Sequence, residues 1–153
     1  MAFLDRYFWL ICGLWVGVFG ALYFRYRASK VPLPQGMSIQ DVNRFAKGWA
    51  MAILAPSLLF WLLQLTISPS SNPQFISWPS PQKWIAIGLT IACWLALLYW
   101  VWLAAGAARL SQMASIYQSY LPQYMRTPTT FKILSLVVVA SGVYGLGTAF
   151  SSK

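Results

Sequence analysis

The polarity of this chain alternates between four long apolar segments and short polar connections. The apolar segments cover residues 7–24, 48–67, 84–108 and 133–150. Each has about the length that a helix needs to cross a bilayer, roughly 17 to 25 residues. Backbone groups in lipid must pair within their own segment, and these segments lack the alternating polarity of a membrane β-barrel. The pattern predicts an all-α membrane protein, a bundle of four transmembrane helices in a single integral-membrane domain over residues 1–153.

Two of these helices are predicted to continue beyond the membrane. The stretch from Ser38 to Asp41 reads Ser-Ile-Gln-Asp, a capping box with Asp in place of Glu, so the second helix is expected to begin near Ser38. After Ala108, apolar side chains recur at steps of three and four, which predicts a cytoplasmic extension of the third helix by roughly three turns. The stripe expected to dock on a partner protein or on the membrane surface consists of Leu110, Met113, Tyr117 and Leu121.

The composition places these helices in a membrane rather than in a soluble core. Hydrophobic residues make up 59% of the chain and charged residues only 8%, whereas a soluble domain carries about a quarter charged residues. Eleven basic residues against two acids give a net charge of +9. Because the bases lie between apolar runs, the expected partners are the lipid bilayer and its anionic lipids, and no nucleic acid is expected.

The distribution of basic residues predicts the orientation in the membrane. The loops over residues 25–47 and 109–132 hold eight of the eleven bases, and Arg6, Lys83 and Lys153 lie on the other side. Cytoplasmic loops carry the excess of Lys and Arg, so both loops are predicted to be cytoplasmic and both termini extracytoplasmic, in a bacterial inner membrane. The bases expected to contact lipid head groups or an anion are Arg25, Arg27, Lys30, Arg44, Lys47 and Arg109.

Small residues recur every four positions in two of the segments. Gly13, Gly17 and Ala21 share one ridge of the first helix, and Ser141 and Gly145 repeat the spacing in the last. Small residues let two backbones approach closely, which is how helices associate in lipid. Both ridges are interpreted as helix-packing interfaces, either within one chain or between the subunits of a homo-oligomer; the alternative is that these small residues are merely tolerated, since glycine is common in spanning helices.

The residues that most enzymes and cofactor sites need are scarce. The chain has no histidine, which removes bis-histidine haem, imidazole-based metal sites and Ser-His-Asp chemistry. Its two acids, Asp5 and Asp41, both lie outside the predicted spans, whereas an ion-coupled transporter usually places an acid inside a span. They are also far apart in sequence, which disfavours the acidic cluster that binds magnesium. Cys12 and Cys93 are interpreted as small apolar side chains. We therefore expect no catalytic residue, no metal and no cofactor, and favour a protein that is not an enzyme.

One resemblance concerns the layout of the whole chain. Arg44-Phe45-Ala46-Lys47 begins the second span, Pro56 follows within it, and Arg109 ends the third. With four spans, both ends outside and a basic first cytoplasmic loop, the chain resembles the membrane-associated eicosanoid and glutathione metabolism family. The resemblance implies a trimer that holds glutathione with basic and polar residues in its cytoplasmic half. The family's Arg-x-x-x-Asn-x-x-Glu pattern is not matched, since residues 44–51 contain neither Asn nor Glu.

Three functions from different classes follow from this reading. The leading hypothesis is a non-enzymatic, polytopic inner-membrane protein that acts as an oligomeric module or as a subunit of a larger membrane assembly. The first alternative is a glutathione-using membrane enzyme of the kind just described. The second is an oligomeric channel, whose lining would include the polar residues Gln64, Thr66, Thr90 and Ser135.

Overall fold

The chain folds into helices joined by short connections. The structure, a computed structural model, describes residues 2–67, 77–117 and 122–151. The elements in order are α1 (Ala2–Cys12), a π-helical segment (Gly13–Phe19), α2 (Gly20–Ala28), α3 (Ile39–Leu65), α4 (Gln82–Trp102), α5 (Gly106–Tyr117), a 3₁₀ turn (Gln123–Arg126) and α6 (Pro128–Ser151). No strand occurs in these described ranges. The chain divides into two compact units, Met1–Thr90 and Ile91–Lys153.

Among the described residues, four helices are long and apolar enough to cross a membrane. They run over Leu4–Ala28, Ile39–Leu65, Gln82–Trp102 and Pro128–Thr148. The predicted all-helical class with four apolar helices is therefore confirmed, and it fits an integral membrane protein. The first and last helices extend several residues beyond the apolar segments, because backbone hydrogen bonding continues where the side chains become polar.

The second long helix begins where the sequence predicts. Ser38 has an extended backbone and caps α3, since its hydroxyl accepts a hydrogen bond from the Asp41 backbone nitrogen at 3.2 Å. The Asp41 carboxylate accepts from the Ser38 backbone nitrogen at 2.9 Å and from the Ser38 hydroxyl at 2.6 Å. The predicted capping box is thus confirmed with Asp in the position usually held by Glu. An N-cap of this kind stabilises a helix by about 1 kcal/mol.

In the first unit, α1, the π-helical segment and α2 form one continuous helix, the first long helix. It lies antiparallel to α3 from one end to the other. The rings of Trp9 and Phe60 stack with centroids 4.8 Å apart near one end, and those of Phe24 and Phe45 meet at 5.4 Å near the other. Residues 25–30 and the first turns of α3 therefore lie at the same end of this helix pair.

The opposite end of the pair is closed by aromatic and polar contacts. Phe60, Trp78 and Ala86 form a buried cluster against which Trp9 packs. Gln64 is only 1% exposed, and its Nε2 donates to the carbonyl of Asp5 at 2.9 Å. This bond satisfies the amide nitrogen of Gln64, which would otherwise be a buried donor without an acceptor.

In the second unit, the third predicted span does not continue as one helix into the predicted extension. α4 ends at Trp102, Ala105 adopts a left-handed conformation with φ of 58°, and α5 begins at Gly106. A Cβ at Gly106 would lie 2.6 Å from the carbonyl oxygen of Trp100, so only glycine fits where the chain turns against the helix end. The span predicted over residues 84–108 is therefore two helices. The hydrophobic stripe does not reveal the break, because alanine occupies the left-handed position that glycine usually marks.

The last helix begins at a Thr-Pro pair. The Thr127 hydroxyl accepts from the Thr130 backbone nitrogen at 3.3 Å, and Pro128 occupies the first helical position, where its missing N–H costs nothing. α5 and the 3₁₀ turn pack against α6. The Ser111 hydroxyl on α5 donates to the Arg126 carbonyl in the 3₁₀ turn, which fixes the connection before α6.

Candidate functional site

The predicted ridge of the first long helix faces α3. Gly13 and Gly17 are buried and Ala21 is 8% exposed. A Cβ at Gly13 would lie 2.6 Å from Ser57 Cβ, and a Cβ at Gly17 would lie 3.3 Å from Ile53 Cβ. Both distances are shorter than the carbon–carbon contact of about 3.5–4.0 Å, so the two helices approach closely because these side chains are absent. This approach lies within one chain.

The same stretch is π-helical, which the sequence pattern does not predict. The segment Gly13–Phe19 carries the i→i+5 hydrogen bonding of a π-helix. Trp49 Nε1 on α3 donates to the Val16 carbonyl at 2.9 Å, and a Cβ at Gly20 would lie 2.8 Å from the same nitrogen. Gly20 thus leaves the space in which the Trp49 indole reaches the backbone. The density of glycines is the one signal in the sequence, since glycine weakens the α-helical preference.

In α6 the close approach involves Gly142 rather than the predicted ridge. A Cβ at Gly142 would lie 2.2 Å from Cζ2 of Trp94 on α4. Ser141 and Gly145 are both exposed, and a Cβ at Gly145 would meet no described atom within 4 Å. The Ser141 hydroxyl donates within its own helix, to the Val137 carbonyl at 2.7 Å. Ser141 and Gly145 therefore form an open ridge, a strip of small residues that the described part of the chain leaves uncovered.

Five bases lie at one end of the antiparallel pair in the first unit. This basic end consists of Arg25, Arg27, Lys30, Arg44 and Lys47. All are exposed except Arg27, which is half-buried. Two of them occupy the last turn of α2, where the helix dipole favours positive charge. The packing thus gathers bases from two helices that are separated along the chain.

The predicted docking stripe is partly covered by the chain itself. Arg109 is exposed and Leu110 is half-buried, whereas Met113 is only 4% exposed. Met113 is therefore buried by the chain itself, and the docking role of the stripe stays a prediction. The side chain of Tyr117 and the whole of Leu121 lie outside the described residues.

The polar residues considered for a channel lining make hydrogen bonds inside the chain. Thr66 and Thr90 each donate to a carbonyl of their own helix, at 2.7 and 2.9 Å. Ser135 is buried, donates to the Lys132 carbonyl at 2.7 Å and accepts from Trp102 Nε1 at 3.2 Å. The Lys132 ammonium lies 5.1 Å from the centre of the same Trp102 ring. These hydroxyls stabilise local structure, and nothing in their geometry indicates a pore.

The described residues contain no group of three or more His, Cys, Asp or Glu side chains that could hold a metal ion. Cys12 and Cys93 form no disulfide. No protein-family model, no curated protein and no solved structure matches the chain. The similarity to the eicosanoid and glutathione metabolism family therefore rests on layout alone. The features that remain as candidates for function are the open ridge and the basic end.

Proposed function

We propose that this chain is a non-enzymatic, polytopic membrane protein that self-associates through the open ridge of α6. The observation that carries this proposal is the contrast between two ridges of small residues. Gly13 and Gly17 are covered by α3, whereas a Cβ at Gly145 would meet open space. Close backbone approach is the main way in which helices associate in lipid, so an uncovered ridge offers a contact for another helix.

The surroundings of the open ridge support this reading. Only 6% of the most apolar window of α6 is buried, compared with 22% in the first long helix. Val137, Val138 and Tyr144 are more than half exposed, so the helix presents large side chains beside its small ones. When two helices pack, the ridge of large side chains on one helix fits into the groove that small residues leave on the other. A second copy of the chain supplies such a helix, which makes a homo-oligomer the simplest assembly.

The proposed orientation follows from the bases. The basic end of the first unit, and Arg109 in the second, belong to the loops with the excess of Lys and Arg. We therefore place both groups on the cytoplasmic side of a bacterial inner membrane and the termini on the other side. In this orientation α5 is the cytoplasmic extension, and its exposed residues would face any further subunit of a larger assembly.

The experiment is a measurement of oligomeric state by native mass spectrometry and cross-linking in mild detergent. Gly145→Leu inserts a bulky side chain into the open ridge and should weaken association by about 5-fold to about 150-fold, since overpacking costs about 1–3 kcal/mol. The fold of the monomer should persist, because the new side chain meets open space in the isolated chain.

The matched control is Gly88→Leu, the same substitution at another glycine with no described atom within 4 Å of its Cβ. This variant should assemble like the wild type. The proposal fails if the wild-type protein is monomeric in mild detergent and in bilayer discs, or if Gly88→Leu disrupts assembly as strongly as Gly145→Leu.

A further inference from the structure

We propose that the basic end of the first unit binds the phosphate head groups of anionic phospholipids. The surface differs from the open ridge in position and in chemistry, because it carries charge and lies in the other unit. It does not depend on self-association.

Helix packing places basic residues of the first long helix and of α3 at the same level along the helix pair. The ring of Phe24 lies 5.4 Å from the rings of both Phe45 and Trp49. Arg25 follows Phe24 directly along the chain, and Arg44 directly precedes Phe45. The aromatic contact therefore brings the backbone positions of Arg25 and Arg44 to about the same level of the helix pair. Helix packing therefore sets the spacing of the two backbone positions from which these side chains extend.

The basic end carries a charge that the chain does not neutralise. It has five bases and one acid, Asp41, which gives 5 − 1 = +4. The Asp41 carboxylate already accepts two hydrogen bonds from Ser38 in the capping box. The other acid of the sequence, Asp5, lies at the opposite end of the helix pair, where its carbonyl accepts from Gln64. A ligand of complementary charge is therefore an anion.

The neighbouring side chains identify the anion as part of a membrane lipid. Leu22 is 53% exposed and Tyr26 is 60% exposed on α2, which also carries Arg25, and Lys30 lies in the turn that follows α2. Exposed tyrosines at the end of a spanning helix lie at the level of the head groups, with aliphatic residues beside the acyl chains. The Lys30 ammonium lies 5.9 Å from the centre of the Tyr26 ring. A lipid phosphate bound here would meet the bases while its chains contact the apolar surface below.

The test is a titration of the detergent-purified protein with phosphatidylglycerol, read by native mass spectrometry, with phosphatidylcholine as the zwitterionic reference. The wild-type protein should retain phosphatidylglycerol preferentially. The double substitution Arg44→Gln and Lys47→Gln should weaken that binding about five-fold for each base removed, which is the effect of one base near an anionic lipid surface. Raising the salt concentration should reduce the preference, because exposed charges are screened.

The matched control replaces Arg6 and Lys83 by Gln. These two bases lie at the opposite end of the same unit, beside the cluster that contains Trp9 and Ala86. This control removes the same charge and should leave phosphatidylglycerol binding unchanged. A second double variant, Arg25→Gln with Lys30→Gln, should weaken phosphatidylglycerol binding in the same way. Because it leaves α3 unchanged, this result would show that the loss does not come from a folding defect in α3.

Three results would overturn the proposal. They are equal affinity for the two lipids, unchanged phosphatidylglycerol binding in both basic-end variants, and an equal loss in the control, which would show that only net charge matters. The same spectra report the oligomeric state. Failure of lipid binding is therefore separable from failure of self-association.

Discussion

A single methyl group at Gly13 should destabilise the first unit, although alanine forms helices better than glycine. The new Cβ would lie 2.6 Å from Ser57 Cβ, which is about 1 Å short of carbon–carbon contact. Ser57 Cβ is bonded directly to the α3 backbone, so only a separation of the two helices relieves the clash. Overpacking of this kind costs about 1–3 kcal/mol, and the better helix propensity of alanine offsets about 1 kcal/mol of this cost. We expect Gly13→Ala to lower the free energy of unfolding by up to about 2 kcal/mol.

The measurement is reversible unfolding of the detergent-solubilised protein, followed by tryptophan fluorescence. Gly48→Ala is the control, because its Cβ would meet no described atom within 4 Å and the substitution should be neutral or slightly stabilising. Ser57→Gly removes the atom that clashes, so Gly13→Ala should cost less in that background. The reasoning is refuted if Gly13→Ala matches Gly48→Ala in stability, or if Ser57→Gly leaves the cost at Gly13 unchanged.

Two further predictions concern the π-helical segment and the orientation. Trp49→Phe removes the donor to the Val16 carbonyl and should destabilise the protein by about 1 kcal/mol. Amide hydrogen exchange over residues 13–19 should become faster, whereas the control Trp15→Phe, at an exposed tryptophan, should leave it unchanged. Unchanged exchange in Trp49→Phe would contradict the role of the bond. An alkaline phosphatase fusion after Lys153 should be active and one after Tyr124 inactive, since the second position belongs to a basic loop; the reverse pattern would invert the proposed orientation.

The number and the approximate places of the four apolar helices could be predicted because they depend on local composition. A run of apolar residues of sufficient length needs no knowledge of its neighbours. The capping box at Ser38 and Asp41 is local for the same reason, since both residues belong to one turn. The π-helical segment could not be predicted in this way, because the Trp49 side chain that reaches Val16 comes from 33 residues further along the chain.

The spacing of small residues identified candidate ridges but not which helix, if any, packs on each of them. Gly142 packs on Trp94, whereas Ser141, one position earlier, is exposed. Adjacent positions on a helix differ by about 100°, so a shift of one residue separates a buried contact from an open face. The four-residue spacing places Ser141 and Gly145 on one face of the helix, but it is the same whether that face is buried or exposed. Which face meets another helix depends on tertiary packing, which the pattern does not contain.

The winding of the first long helix determines how strictly its length is constrained. In a regular α-helix, positions four residues apart rotate by about 40°, so Gly13 and Ala21 would diverge by about 80° around the axis. The π-helical segment has more residues per turn, which offsets this rotation and keeps the small residues in line along α3. A substitution within Gly13–Phe19 does not change the number of residues in the segment. Insertion or deletion of one residue there would instead turn one half of the helix relative to the other, so the exact residue count of this segment is itself part of the information that specifies the fold.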